Sequence, residues 1–149
     1  LMIAPITPNV IRQTYQVRSV LDGLAAREAA KRGVTIKAEF ISDGRRAAAE
    51  GKISGLINAD LRFHQAIYSL SGNSMIQDSC KFHWQHIRRA MGAVVAQFSE
   101  LNTIWDEHEG IRVAINSGDS LLAEKLARGH GECAGESLAI AMTQSILNR

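Results

Sequence analysis

The chain's only prolines, Pro5 and Pro8, both precede its first periodic segment. Nothing after them carries the residue that most reliably breaks a helix, and alternating β-branched residues are scarce, so helices must carry nearly everything. Thr7 followed by Pro8 predicts an N-cap with proline at the first helical position. That helix runs to a C-cap at Gly33, with Val17, Leu21, Leu24 and Ala25 as its apolar stripe and Arg18 beside it. A second segment, Thr35 to about Ala49, is weakened by Gly44 and stopped by Gly51. The third runs from Ile53 to Leu70 and ends where Gly72 or Asn73 can take the left-handed conformation. Ser74 to Phe98 reads as one long fourth helix with Met75, Ile76, Phe82, Ile87, Met91 and Val94 as core. Asn102 or Thr103 caps a fifth, stopped by Gly118, and Asp119 caps a sixth that continues through Gly129, Gly131 and Gly135. The predicted fold class is all-α: an antiparallel bundle of six helices, or seven if the Thr7 to Gly33 segment divides.

A length of 149 residues with 46% hydrophobic side chains suits a single domain over 1–149 with one sizeable core. The 17 basic and 15 acidic side chains are interspersed, and a net charge of +2 argues against nucleic-acid binding by this chain alone. No apolar run is long enough for a membrane anchor. Cys80 and Cys133 have no CxxC spacing, so neither a disulfide framework nor a cysteine zinc site is expected, and a reducing, cytoplasmic setting fits. The opening LMIAPITPN, starting at Leu1, reads as a cut from a longer protein.

Within the third segment, Asp60 and His64 stand four residues apart, on one helical face with Ile57 and Ile67. On the fifth, Ile104, His108, Ile111 and Ile115 share a stripe; on the sixth, Leu126, His130, Cys133, Ser137 and Ile140 do the same. Three helices thus drive imidazole or carboxylate inward, where each unpaired polar group costs about 1 to 3 kcal/mol. A divalent metal in a central cavity would satisfy Asp60, His64, His108 and His130 together; zinc suits this donor set foremost, and nickel, manganese and iron also fit. Taken singly, each histidine reads as hydrogen-bonded core. Arg88 and Arg89 are candidates to hold a carboxylate in the cavity, since guanidinium does so bidentately, although both also read as a solvated helix face. His83 and His86 read as solvent-facing or hydrogen-bonded, Cys133 as a small hydrophobe, and Trp84 and Trp105 as core or interface anchors.

These residues also carry a resemblance. Arg18 with Leu21; Asp60, Phe63 and His64; Ser71-Gly72-Asn73; Glu107-His108; and Gly118-Asp119, Ala123, Arg128 and His130 follow the order and spacing of the FCD domain. That domain is the C-terminal ligand-binding half of FadR-type regulators in the GntR transcription-factor family, and the resemblance spans about Val17 to Ser137. It implies that Asp60, His64, His108 and His130 are the metal ligands and that Arg18 faces an effector, a small organic acid. It also implies a homodimer, with DNA read by a winged helix on the N-terminal side that this chain lacks, residues 1–9 being the remnant of the linker. Asp22 stands where the pattern has glutamate, and the glycines around His130 predict a loose last helix, at about 1 kcal/mol per exposed interior glycine.

Two further classes compete with this non-enzymatic sensor. A metal-dependent hydrolase or other metalloenzyme could use the same ligands to activate water, but Glu107 and Glu109 are expected to point off the face of His108, leaving no obvious general base. A purely structural helical dimerisation module would keep the histidines as core.

Overall fold

The structure, a computed structural model, describes residues 5–149. Among these residues there are six α-helices: α1 (Pro8–Lys31), α2 (Glu39–Glu50), α3 (Ile53–Leu70), α4 (Ser74–Val94), α5 (Leu101–Asn116) and α6 (Ser120–Leu147). A single 3-10 turn, Val95–Gln97, follows α4, and no strand occurs among the described residues. The all-helical bundle is therefore as expected, with α1 undivided. Of the expected linker, residues 1–4 lie outside the described residues, while Pro8 and Asn9 already belong to α1. No described helix is long and apolar enough to cross a membrane.

Local signals set most helix ends. The Thr7 side chain accepts from the Val10 N–H at 3.1 Å, with Pro8 in the first helical position. The Asp119 carboxylate caps α6 through the Leu122 N–H at 3.1 Å. Gly33, Gly51, Gly72 and Gly118 all follow helices with φ between 68° and 75°, the left-handed backbone that stops a helix cheaply only at glycine.

Three boundaries differ from expectation, each for a tertiary or local reason. The second helix starts at Glu39, not Thr35, because the preceding strap is docked on α5: the Ile36 N–H donates to Asn116 Oδ1 at 2.7 Å, and Ile36 O accepts from Asn116 Nδ2 and Arg112 Nη1. The fourth helix stops at Val94, where the backbone leaves helical geometry (φ −134°) and tightens into the 3-10 turn. The fifth begins at Leu101, with Glu100 rather than Asn102 or Thr103 at the cap position and no side-chain cap bond.

The core is centred on α1, which packs on α3, α4, α5 and, most extensively, α6. That seam is built from small residues: Ala25, Ala26, Ala29 and Ala30 on one side, Ala123 and Ala127 on the other, all buried. A Cβ on Gly131 would fall 2.5 Å from Ser19 Oγ, and one on Gly135 would fall 2.4 Å from Tyr15 Cβ. The α6 glycines expected to loosen the helix thus allow two backbones to approach closely, and α6 runs unbroken for 28 residues, about 42 Å at 1.5 Å per residue. Gly129 alone of the three meets open space.

Several side chains predicted as core are exposed instead. Val17, Met75 and Phe82 are 50%, 69% and 62% exposed, because the buried face of α1 is set by Ile11, Tyr15, Arg18 and Asp22, and that of α4 by Ile76, Cys80, Trp84 and Ile87. Trp84 and Trp105 are buried, as expected.

Candidate metal and ligand site

The site lies where α3, α5 and α6 converge beside α1. Asp60 and His64 come from adjacent turns of α3, His108 from the middle of α5, and His130 from α6, next to the seam glycine Gly131. Ring nitrogens of His64, His108 and His130 all lie within 4.8 Å of one another, and the three side chains are buried. Asp60 Oδ1 is 3.4 Å from His64 Nε2 and 3.3 Å from His108 Nε2. His108 Nε2 and His130 Nε2 are 3.0 Å apart. The four residues expected to be metal ligands are therefore brought together.

Packing fixes the rings from behind. Phe63 lies tilted against His108 at 4.5 Å, Trp105 meets the same ring edge-on at 4.5 Å, and Trp84 lies 5.5 Å from His64. Burial depresses the His64 pKa below its ordinary 6.5, with the Arg18 charge adding to the effect. Burial, with His130 alongside, drives that of His108 well below 6.5. Both rings are consequently neutral at pH 7, the form in which imidazole offers a lone pair to a metal. For Asp60, burial acts to raise the pKa, but His64, His108 and Arg18 outweigh it and hold the carboxyl well below the usual range.

Two side chains outside the expected set complete the arrangement. Glu107 Oε2 sits 2.7 Å from His130 Nδ1, which leaves Nε2 of that ring turned toward His108. Glu107 leaves the face of His108, as expected, but it does so to meet His130 on α6, so a carboxylate does stand beside the cluster where none was expected. Asp22 pairs with Arg18 at 3.0 Å inside the bundle, accepts from the Tyr68 hydroxyl at 2.5 Å, and lies 3.8 Å from His64 Nδ1. Carboxylates behind the ligating imidazoles orient rings and raise their basicity in metal sites generally. The Arg18 and Asp22 spacing of i, i+4 was readable in the sequence; Glu107 was visible there only as the neighbour of His108, and no local pattern announced its contact with His130.

Whether the residues fit a divalent ion can be judged from their unpaired atoms. His64 Nε2 is buried without a hydrogen-bond partner, and the His108 and His130 Nε2 atoms face each other with Asp60 Oδ1 3.3 Å from the former. Neutral imidazole nitrogens and one carboxylate converging on a common point make a donor set suited to zinc and its neighbours, so they fit.

A cavity of about 430 Å³ opens from this cluster, with Arg18, Asp60, Glu107 and His130 at its inner end. Its outer walls come from the end of α4, the 3-10 turn and the start of α5, faced by the C-terminal half of α6. Cys133, Ser137 and Ile140, predicted to point inward, face this cavity and are exposed there. Arg18 is buried, with its guanidinium 4.3 Å from the Trp84 ring and 5.0 Å from that of Tyr15. Arg88 and Arg89 are exposed on α4 and do not line the cavity; Arg88 lines a smaller groove with Leu61, Gln65 and Trp84. His83 and His86 lie apart from the cluster, and both cysteines are free thiols.

Residues 13–132 match the family described as the FCD domain. The chain is an FCD domain. FCD domains are the regulatory, ligand-binding domains of GntR-type transcription factors, so the cavity belongs to a domain class that binds effectors. Nothing among curated proteins matches the chain.

Proposed function

We propose that this FCD domain senses a small carboxylic acid at a divalent metal held by Asp60, His64, His108 and His130. The observation that carries the reading is the convergence of three buried imidazoles and Asp60, with Asp60 and His130 of that cluster lining a cavity of about 430 Å³. When bound, the ion supplies a Lewis-acid anchor for a carboxylate. Arg18 stands beside that anchor as a second charge partner, while Arg88 and Arg89, outside the cavity, have no part in the reading. Zinc is the ion that this donor set suits foremost, with nickel, manganese and iron also admitted.

The cavity walls explain how binding would be felt. An occupant would touch α6 on one side and the turn between α4 and α5 on the other, and differential affinity for two arrangements of these elements is what shifts their populations. In a homodimeric cytoplasmic regulator with a winged helix on the N-terminal side of α1, such a shift would alter the spacing of two DNA-reading heads.

Elemental analysis and thermal unfolding with added zinc test the metal. A stoichiometric ion and a zinc-dependent rise in melting temperature, both absent in His108→Ala, are the expected results. Metal below stoichiometry, with His108→Ala indistinguishable from the parent, would remove the metal from the proposal. One observation favours a second reading, a metal-dependent hydrolase: Glu107 is a half-exposed carboxylate on the cavity wall. Its hydrogen bond to His130 occupies it in orienting that ring instead. Turnover of an ester or phosphate panel, abolished by His108→Ala, would establish the enzyme.

A further inference from the structure

The charge and polarity of the cavity narrow the acid it takes. Of the fully charged side chains on its described wall, Arg18 is the one cation, against the carboxylates of Asp60, Glu100 and Glu107. Arg18 is itself already paired with Asp22 at 3.0 Å. Three carboxylates against one guanidinium leave two negative charges, so the bare cavity repels anions. A divalent ion at the histidine cluster cancels that field at the inner end and nowhere else.

Away from that end the wall turns apolar. Leu56, Met91, Val95, Phe98, Ile104 and Ile140 supply hydrocarbon surface, and the polar groups interspersed among them are uncharged except for Glu100 at the rim. A second carboxylate carried beyond the inner end, where Arg18 lies, would meet Glu100 and no cation of the lining. A polyhydroxylated body would find Gln97, Ser99, Thr103, Ser137 and Gln144 set among that hydrocarbon and would regain only part of the hydrogen bonds it gives up to reach the wall.

We infer that the effector is a monocarboxylic acid with an apolar body, its carboxylate at the metal end and its hydrocarbon part against the α4, α5 and α6 walls, and that dicarboxylates and sugar acids are excluded. This rests on the metal reading above and specifies what that site accepts.

The test is calorimetric titration of the zinc-loaded domain with octanoate, octanedioate of the same length, and gluconate. Octanoate should bind at least about ten-fold more tightly than either of the others, because each buried methylene favours binding and the second carboxylate or the hydroxyls oppose it. Ile140→Asn, at a residue 46% exposed and therefore tolerant of substitution, should weaken octanoate binding while leaving zinc content unchanged. Octanedioate or gluconate binding as tightly as octanoate, or octanoate binding indifferent to Ile140→Asn, would overturn the inference. Zinc content measured on the same samples separates the two levels. A domain that holds stoichiometric zinc yet prefers gluconate refutes the apolar body alone; one that takes up no zinc and binds no acid refutes the metal reading and this inference with it.

Discussion

The two flanks of α6 are built to opposite rules. Toward α1 the seam is closed by alanine and glycine, with no space for a further carbon at Gly131 or Gly135. Toward the α4–α5 connection, larger side chains on separated backbones leave a cavity of about 430 Å³. Close-packed interiors transmit displacement and resist it, whereas an open wall can close on a ligand. The contrast teaches how one helix serves both purposes: His130 sits on the stretch of backbone that Gly131 and Gly135 bring against Ser19 and Tyr15 of α1, while Cys133, Ser137 and Ile140, on the other flank, face the cavity.

The largest expected effect breaks the closed flank at its charged centre. Asp22→Ala leaves the Arg18 guanidinium buried without its partner and the Tyr68 hydroxyl without an acceptor, and should cost about 3 to 5 kcal/mol in denaturant unfolding. If Asp22→Ala unfolds at the parent's denaturant midpoint, Arg18 has another partner and the closed flank is not held this way. Next, Gly135→Ala places a methyl against Tyr15 Cβ and should destabilise by about 1 to 3 kcal/mol, reversing the usual gain from alanine in a helix.

At the junction of the flanks, Glu107→Gln keeps the shape but weakens the carboxylate behind His130, so metal affinity should fall about 10- to 100-fold with little change in the fold's own stability. Competitive chelator titration reads this directly; unchanged affinity would make Glu107 a bystander. Acid should act at the same place. His64 and His108 have folded pKa values depressed below the ordinary 6.5, so their contribution is complete above that value and is lost as pH falls toward and through the folded values. Stability of the metal-free domain should decline below about pH 6.5, at no more than about 1.4 kcal/mol per pH unit for each proton taken up. A flat profile from pH 7 to 5 would contradict the burial of both rings. Smallest of all, Ile140→Asn on the open flank should change stability by less than about 0.5 kcal/mol, in contrast to Gly135→Ala five residues earlier.

Much of this molecule was legible before its structure. Caps at Thr7 and Asp119 and left-handed glycines at Gly33, Gly72 and Gly118 are local devices, readable wherever the stopping signal and the stopped segment are neighbours in sequence. The inward direction of Asp60, His64, His108 and His130 was equally legible, because a polar residue in a helical apolar repeat betrays its face. Faces assigned from hydrophobicity alone fared worse. Val17, Met75 and Phe82 are apolar yet exposed, while the charged Arg18 is buried, because burial of a guanidinium depends on the carboxylate and rings that other turns and helices bring to it.

What the sequence by itself determined is the set of helices, most of their stops and the inward direction of Asp60, His64, His108 and His130, all governed by interactions within a few residues of chain. Only the tertiary structure decided that Glu107 reaches His130, that Gly131 and Gly135 press on α1 rather than loosening α6, and that Arg18 lines the cavity while Arg88 and Arg89 do not. Each of those outcomes depends on how two helices distant in sequence cross, and helical periodicity gives the direction of a side chain without the distance to whatever it meets.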